Sequence, residues 1–421
     1  MEEINQIQLQ EKWAPVLDSQ DAGKIADPHR RAVTAVVLEN QEKAFAQERA
    51  QITEVAANKT GGGVDNWDPV LISLVRRATP ALLAFDLVGV QPMTGPTGLI
   101  FAMKSRYTTQ GGDEALFDEA ATAFSGGGSG SGTASDNPFA GDSGDGDSVD
   151  DYTPGMGLST GAAEALGNTG NAIAEMAFSI DKTTVTAKSR ALKAEYTIEL
   201  AQDLKAVHGL SAETELANIL STEILAEMNR EIIRTINVNS VTSVLASGEY
   251  DMTDATDNAG ARWLVERVKS MVFAIEKEAN QIAVSTRRGK GNFVIVSHGV
   301  AAALNSAGAM DTGLGLSGPQ GFDSDATGSL FAGTLNGRMK VYIDPYAAVD
   351  YYTVGYKGTN PYDAGMFYCP YVPLSMMKTI GESDFQPRIG FKTRYGLADN
   401  PFVTAGAGAN VYYRKRKVVN L

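Results

Sequence analysis

The sequence predicts an α+β protein with more than one lobe, on the strength of three stretches of chain. Apolar residues recur at helical spacing through 211–236 and again through 261–286, whereas aromatic and β-branched residues alternate through 341–374. The first pattern is typical of helices that lie on a sheet or core, and the second of strands in an antiparallel or mixed sheet. A chain of 421 residues is also longer than one compact core usually holds.

The helix at 211–236 is predicted to be the spine of the fold. Ser211 is placed to cap it, Glu213 and Glu215 suit the positive end of its dipole, and neither Pro nor Gly interrupts it. Its apolar stripe consists of Leu216, Ile219, Leu220, Ile224, Leu225, Met228, Ile232 and Ile236, with Glu223, Glu227, Asn229 and Arg230 mostly off it. The helix would be roughly 38 Å long, comparable with the width of a small domain.

The N-terminal part of the chain is less regular. Residues 1–54 are polar and charged with short amphipathic runs, which predicts helices but no core. After the loose stretch AANKTGGGVDN, residues 67–77 read as a short amphipathic arm that Pro80 ends. Residues 84–91 and 99–107 carry strand-like residues on either side of turn-forming prolines and glycines, so two strands are expected.

Residues 108–170 contain a run of Gly, Ser and Asp with little to bury, which indicates a flexible surface insertion. No strand precedes its glycines and no GK[ST] follows them, so a nucleotide-binding loop is not expected. Its alternating acids are of the type that attracts calcium, but the Glu that closes an EF-hand loop is missing, and a solvated acidic loop explains them better. These acids are Asp142, Asp145, Asp147, Asp150 and Asp151.

Further elements follow the insertion. Residues 176–188 alternate and are β-branched, which predicts a returning strand. Residues 292–297 read as a buried strand that leads into a helix at 300–305, and 308–337 are Gly-rich and are expected to form long loops.

The chain closes with a predicted strand that contains four consecutive cations. A basic tetrad can bind nucleic acid. Because the protein is acidic, we expect these cations instead to pair with carboxylates within the fold or across a subunit contact. They are Arg414, Lys415, Arg416 and Lys417.

Composition limits the possible functions. The formal net charge is −14, so tight nucleic-acid binding, which needs a Lys or Arg for each phosphate contact, is not expected. The chain has no apolar run long enough to span a membrane, and its polar, acidic N-terminus does not read as a secretory signal. The single cysteine, Cys369, excludes an internal disulfide and fits a reducing compartment.

No arrangement of residues predicts a reaction. His29, His208 and His298 are the only histidines and lie far apart without an HExxH motif, so a zinc site is not expected. His208 is expected at a helix end, where it stabilises carbonyl groups. Ser297 precedes His298 without a G-x-S-x-G elbow, and Cys369 is expected to be a small buried hydrophobe. We therefore expect no catalytic residue, no metal and no cofactor.

Several segments of the sequence closely resemble the major capsid protein of T-even-type tailed bacteriophages. They are RRATPALLAFDLVGVQPMTGPTG, KSRALKAEYTIELAQDLKAVHG with the helix and its EMNREI turn, YIDPYAAVDYYTVGYKG, DAGMFYCPYVPL and FQPRIGFKTRYGLADNPF. They occur in the family's order between about Asp68 and Phe402, broken by the insertion. The resemblance implies the tailed-phage capsid fold, also known as the Hong Kong ninety-seven fold.

The resemblance also divides the chain into the parts of that fold. They are a leader at 1–54, an N-terminal arm at 55–82, an extended loop at 83–190, a peripheral domain at 191–259 and 376–421, and an axial domain at 260–375. In this family the extended loop lies over the neighbouring subunit. The best-known members carry a larger, folded domain inside that loop, with a role such as bracing neighbouring capsomers. The short Gly-rich insertion at 108–170 departs from that pattern, so this role is not carried over to it.

In this family the assembly protease removes an N-terminal segment by cutting after a Leu/Ile-x-Glu tripeptide. Ile52, Thr53 and Glu54 lie where the resemblance puts the cut, between the helical leader and a Gly-rich stretch, so the mature chain is expected to begin at Val55. Other tripeptides fit the same pattern, among them Leu9-Gln-Glu11, Ile173-Ala-Glu175, Leu225-Ala-Glu227 and Leu264-Val-Glu266. A plain interdomain linker is the alternative interpretation of the segment around Glu54.

The function implied by the resemblance is that of a structural protein and not of an enzyme. It would assemble in the bacterial cytoplasm into hexameric capsomers that form the icosahedral or prolate head shell of the virion around double-stranded DNA. Its expected partners are further copies of the chain, the prohead protease, and scaffolding, vertex, portal and decoration proteins. The net charge of −14 suits an inner surface that does not hold the duplex, although solubility alone explains it equally well.

Two alternatives remain open at this point. An encapsulin-like cellular compartment shares the fold, but it has no reason to carry a cleavable leader and would recruit a cargo enzyme. An enzyme of unrecognised type would have to find its acid and base among the scattered groups above.

Overall fold

The computed structural model describes residues 2–18, 25, 27–52, 82–116, 120, 124–126, 157–167, 172–243, 248–253, 263–311, 323–324, 330–360, 362–381, 386–401 and 408–421. The helices in these residues are α1 (Glu2–Leu17), α2 (Pro28–Ile52), α3 (Ala84–Leu87), α4 (Thr160–Glu164), α5 (Ile198–His208), α6 (Ala212–Asn239), α7 (Leu264–Thr286) and α8 (His298–Ser306). The strands are β1 (Gly89–Val90), β2 (Thr97–Tyr107), β3 (Met176–Thr186), β4 (Lys188–Glu195), β5 (Ser240–Thr242), β6 (Glu249–Asp251), β7 (Phe293–Ser297), β8 (Met310–Asp311), β9 (Asp323–Ser324), β10 (Leu330–Leu335), β11 (Met339–Asp344), β12 (Tyr351–Gly355), β13 (Met366–Ile380), β14 (Pro387–Asp399) and β15 (Asn410–Val419).

The described strands form two sheets and a ribbon. One sheet has four strands in the order β1-β13-β14-β4, and the ribbon consists of β2 and β3. The other sheet has nine strands, with β5-β15-β12-β7-β11-β10-β8 in order, β6 beside β15 and β9 beside β10. The nine-stranded sheet is mixed, since β7 pairs parallel with β11 and antiparallel with β12. Long helices and mixed sheets confirm the predicted α+β class.

Each sheet collects strands from distant parts of the chain. The nine-stranded sheet takes β5 and β6, then β7 to β12, and finally β15, whereas the four-stranded sheet takes β1, β4, β13 and β14. The predicted peripheral and axial domains therefore each contribute strands to both sheets, and their boundaries stay a prediction. By compactness the chain divides into one unit of Met1–Ile100, Thr183–Ser285 and Gly289–Leu421 and another of Phe101–Lys182 with Thr286–Arg288.

Helix α6 packs against side chains of both sheets in the first unit. Its large buried apolar side chains are Leu220, Ile224, Met228, Ile232, Ile233 and Ile236, and all but Ile233 belong to the predicted stripe. They join one core with Phe293, Ile295 and Tyr342 of the nine-stranded sheet and with Ile389, Phe391 and Tyr395 of the four-stranded sheet. Apolar faces on both sheets explain why the stripe is broad, because one helix has to cover two surfaces.

Three details of this helix differ from the sequence prediction. Ile219 is 62% exposed, although it was placed on the apolar stripe. Asn229 was placed mostly off the stripe, but it is buried. Its side-chain oxygen accepts a 3.2 Å hydrogen bond from the backbone N–H of Leu83, which makes the burial of this polar group possible. Ser211 occupies the N-cap position as predicted, yet its side chain makes no capping hydrogen bond.

A second core lies on the other face of the nine-stranded sheet. Successive side chains of β7 alternate between the two cores, with Phe293 and Ile295 on the α6 side and Val294 and Val296 on the other. Helices α7 and α8 cover that other face, and their buried side chains include Ile275. Strand β7 is buried at every position, as expected for a strand with both faces covered. The predicted strand at 292–297 and helix at 300–305 are thereby confirmed.

The predicted strand at 84–91 is wrong for most of its length. Residues Ala84–Leu87 form the short helix α3, and only Gly89–Val90 are a strand, which pairs parallel with β13. A short apolar run fits either a helix or a strand, so the tertiary partner decides. The strand predicted at 99–107 is confirmed as β2, whose partner is the returning strand β3.

The N-terminal leader contributes to the main core, which contradicts the prediction that it builds none. Trp13 and Leu17 of α1 and Val33, Val37 and Leu38 of α2 are each at most 3% exposed and belong to the same core as α6. The prediction failed because it considered the leader alone, whereas its apolar side chains pack against residues that come much later in the chain.

Two other loop predictions fall partly on described residues. Within 308–337 the Gly-rich stretch includes strand β10, so the expectation of loops throughout is wrong there. Within the insertion at 108–170 the described part contains the single-turn helix α4. The five acids of the proposed acidic loop, Asp142 to Asp151, lie outside the described residues.

The charged side chain of Arg230 fixes α6 to the nine-stranded sheet. Its Nη1 donates to both carboxylate oxygens of Asp344 at 2.6 and 2.7 Å. Asp344 is buried at the end of β11 and also accepts from the Tyr351 hydroxyl at 2.6 Å and from the Tyr346 N–H at 3.0 Å. Burial alone would raise the pKa of Asp344, but the bonds from Arg230, Tyr351 and Tyr346 outweigh it and lower the pKa below its ordinary value.

The core side of α6 should be far more sensitive to truncation than its exposed side. Ile236→Ala removes a side chain that is fully buried, and is expected to lower the free energy of unfolding by about 2–5 kcal/mol. Val238→Ala, on the same helix but 56% exposed, should change it by less than about 0.5 kcal/mol. Urea unfolding of the unassembled chain at neutral pH measures both, and equal effects would contradict the described packing of α6.

Asp344 should make stability depend on pH. A carboxylate whose pKa is lower in the folded chain stabilises the fold above its unfolded pKa, and this contribution disappears as the pH falls through the folded pKa. Asp344→Asn is therefore expected to cost about 3 kcal/mol at pH 7, because it breaks a buried pair, and progressively less in acid. Urea unfolding from about pH 7 to pH 3 measures this. A pH-independent difference would contradict the expectation, and exposed Glu223→Gln serves as the control.

Candidate assembly interface

One face of the β2–β3 ribbon exposes a row of large apolar side chains. On β2 they are Phe101 and Met103, and on β3 they are Met176, Phe178 and Ile180. Each of the five is between 55% and 70% exposed. Exposed apolar side chains scattered singly need no explanation, but a contiguous row is unusual on a soluble monomer and marks a contact surface.

The polar contacts of the ribbon show that these five side chains share one face. Lys104 forms a 2.8 Å ion pair with Asp181, and Arg106 donates a 2.9 Å hydrogen bond to Ser179. The paired numbers run in opposite directions, so the strands are antiparallel. Because successive side chains of a strand point to opposite faces, these polar groups hold one face and the apolar row occupies the other.

The strand that follows the ribbon, β4, is tied to α6 by charged groups. Arg190 donates to Glu227 at 2.9 Å, to Glu231 at 2.7 Å and to the Tyr395 hydroxyl at 2.5 Å, and that hydroxyl donates to Glu231. Burial opposes the charge of Arg190, but the bonds with Glu231 and Tyr395 raise its pKa above the ordinary value. The guanidinium therefore stays charged and holds β4, β14 and α6 together.

The four C-terminal cations are used inside the fold. Arg414 pairs with buried Glu278 at 2.7 Å, and Lys417 pairs with Glu249 at 2.9 Å. Arg416 donates to the backbone oxygen of Glu249 at 2.9 and 3.1 Å, and Lys415 donates to the backbone oxygen of Asn237 at 2.6 Å. As predicted, carboxylates pair with two of the cations, while carbonyl oxygens take the other two.

The three histidines and Cys369 do not form a catalytic site. His29 lies in α2, where burial lowers its pKa, whereas His208 ends α5 and His298 begins α8. His208 is followed by Gly209 in the left-handed conformation, which confirms its predicted place at a helix end. Cys369 is buried, as predicted, and burial raises the pKa of its thiol to about 12, so it is not a nucleophile at neutral pH.

The predicted cleavage site falls at the edge of the described chain. Ile52 is the last residue of α2, whereas Glu54 and Val55 lie outside the described residues. Among the residues described, no three His, Cys, Asp or Glu side chains form a group that could hold a metal ion. None of the described helices is long and apolar enough to cross a membrane.

Comparison with known proteins identifies relatives along nearly the whole chain. The profile of the family described as Major capsid protein Gp23 matches residues 64–418. The major capsid protein of Vibrio phage KVP40 is 37% identical, with 97% of this chain and 98% of that protein covered. The major capsid protein of Enterobacteria phage T4 is also 37% identical, with 96% and 93% covered.

Two further likenesses are weaker. The capsid vertex protein of Enterobacteria phage T4 is 30% identical over 250 residues, which cover 55% of each chain. Among solved structures, the capsid of Myoviridae phage XM1 aligns over 88% of this chain and 98% of that chain, at 9% identity and a TM-score of 0.41. The family assignment rests on the sequence relatives and not on this structural likeness.

Both relatives that match along nearly the full length are named major capsid proteins. The resemblance found in the sequence is thereby confirmed, and the chain is a structural protein of the virion. It belongs to the Gp23 family of tailed-phage major capsid proteins.

Proposed function

We propose that this capsid protein assembles into hexameric capsomers whose lattice encloses the phage DNA, and that cleavage after Glu54 removes the leader during maturation. The parts of the capsid fold are proposed as in the sequence analysis, with an arm at 55–82, an extended loop at 83–190, a peripheral domain at 191–259 and 376–421, and an axial domain at 260–375. A prohead protease, a scaffold, a portal and a vertex protein are its proposed partners.

The apolar face of the β2–β3 ribbon is the observation that carries the proposed assembly. An isolated two-stranded ribbon is at best marginally stable in water, and here one of its faces is apolar and exposed. Packing of that face on another copy of the chain would bury five large side chains at every contact. Contacts repeated by symmetry add up to a closed shell even when each one is modest.

The charge balance supports enclosure of DNA without tight binding. The net charge is −14, and all four C-terminal cations already have acceptors within the fold. A surface that offers few free cations to phosphates leaves the duplex able to move while it is packed.

The places of the competing tripeptides support the cut after Glu54. Three of the alternatives named above lie in helices: Glu11 in α1, Glu227 in α6 and Glu266 in α7. Helical backbone is hydrogen-bonded to itself and must unfold before a protease can extend it. Glu175 lies outside a helix, directly before β3. A cut after Glu175 would remove far more of the chain than a cut after Glu54, so the masses of the two products distinguish these sites.

The ribbon face is tested by placing a charge on it. Phe101→Glu would bury an unpaired carboxylate at each contact and is expected to cost about 2 kcal/mol or more per contact, as for other large side chains at interface centres. When the Phe101→Glu chain is co-expressed with its scaffold, chaperone and protease, electron micrographs should then show no closed shells. Phe101→Tyr keeps the ring and should assemble. Shells of normal yield from a folded Phe101→Glu variant would reject this face as an interface.

The cut is tested by mass spectrometry of the same particles. Wild-type chains are expected to begin at Val55, and Glu54→Gln should leave the leader attached because the protease recognises the Glu. Glu11→Gln, in a tripeptide of the same type, should mature normally. A full-length mass for the wild-type chain in virions would contradict cleavage, and a chain beginning at Lys12 or Met176 would point to another site.

A further inference from the structure

Helix α2 packs over an apolar groove between α6 and β13. We call it the leader groove, and its walls are formed by Leu82, Phe85, Leu225, Met228, Tyr368 and Leu374. Val37 of α2 lies against these walls, and Trp13, Leu17, Val33 and Leu38 belong to the same buried core. The leader is therefore seated on the same helix that joins the two sheets.

Polar contacts fix the position of α2 in this groove. The side-chain amide of Asn40 donates to two backbone oxygens, that of Met93 at 2.7 Å and that of Tyr371 at 3.0 Å. Near the start of α2, Arg30 pairs with Asp86 at 3.0 Å and lies over the ring of Phe85 at 5.3 Å. Asn40 is 6% exposed, so these carbonyl groups would lose their partner in a dry site if α2 shifted.

The two leader helices also hold each other. Lys12 of α1 forms ion pairs with Glu39 at 2.8 Å and with Glu42 at 2.6 Å of α2. Arg31 pairs with Asp18 at 2.9 Å. The leader is thus a helical hairpin with one apolar side, and not two separate helices.

The fit of this hairpin is imperfect in two places. Gln41 is only 4% exposed, and within the described part of the chain neither its amide nitrogen nor its oxygen has a hydrogen-bond partner. A cavity of about 30 Å³ also remains beside Val37, with Leu225, Met228 and Leu374 among its walls. A buried amide without partners and an unfilled cavity both weaken packing, so this interface is less stable than it could be.

We propose that the leader groove is a binding site for an amphipathic helical hairpin, and that the leader is its non-covalent ligand even after the chain is cut. Cutting and release are then two separate steps. The groove selects a hairpin with an aliphatic side, an amide that bridges two carbonyl oxygens and a cation opposite Asp86. The place of this release in maturation rests on the proposed cut after Glu54, whereas the groove and its ligand do not.

The test uses the full-length chain with a recognition sequence for an unrelated site-specific protease inserted after Gly62. Cutting the folded, unassembled protein there separates leader from body without the phage protease. The leader is expected to stay with the body through native size-exclusion chromatography and to leave it at a urea concentration below that which unfolds the body.

Matched variants in α2 identify the contacts that hold the cut leader. Asn40→Ala should speed its release about tenfold or more, because a buried carbonyl group of Met93 and a partly buried one of Tyr371 lose their donor. Gln41→Leu should slow the release, because it removes the unpaired amide from a dry site. Lys43→Gln is the control, since Lys43 is 66% exposed and lies 3.8 Å from the Glu39 carboxylate, a distance too long for a strong ion pair.

Separation of the leader from the body on the first native column would overturn this proposal, whether the body stays soluble or precipitates. Equal release rates for Asn40→Ala, Gln41→Leu and Lys43→Gln would also overturn it. Neither outcome depends on maturation, because the chain is cut by an unrelated protease. A virion chain of full-length mass would reject the cut after Glu54 but would not affect the result of this experiment.

Discussion

The fold depends on one stretch of α6 whose side chains face different neighbours. Glu227 and Glu231 lie four residues apart and meet Arg190 beside the four-stranded sheet, whereas Arg230 meets Asp344 at the end of β11 in the nine-stranded sheet. Met228 and Ile232 fill the core between them. Helical periodicity makes this possible, because neighbouring positions point in directions about 100° apart. These contacts, which set the position of the two sheets relative to each other, all come from less than two turns of α6.

Local periodicity predicted most of the described elements but not their partners. The stripe of α6, the strand β7 and the helix α8 follow from spacing alone, because each buries a continuous face. Asn229 was missed since its burial depends on Leu83, which lies 146 residues away. The short run from Ala84 forms a helix followed by a two-residue strand, and that strand pairs with β13. The local sequence does not show this pairing, because β13 lies far along the chain.

The candidate interface was only half predictable. The alternation in β2 and β3 indicated strands, but only their pairing shows that Phe101 and Phe178 share an exposed face. The leader was underestimated for a similar reason, since Val33 and Val37 form too short a stripe to suggest a core by themselves. Their packing surface is supplied by residues around Met228 and Tyr368, far along the chain. Family resemblance gave the function, and no feature of composition would have done so.

The position of β15 has a consequence for biosynthesis. This strand comes last in the chain, yet it lies inside the nine-stranded sheet, with β5 and β6 on one side and β12 on the other. A nascent chain therefore lacks an interior strand of this sheet until residues 410–419 have been synthesised, and the edge of β12 that pairs with β15 has no partner before then. Contacts of such long sequence separation form slowly, and exposed strand edges favour aggregation in the meantime. The nine-stranded sheet can therefore form completely only after β15 has been synthesised, and until then the exposed edge of β12 favours aggregation with other copies of the chain.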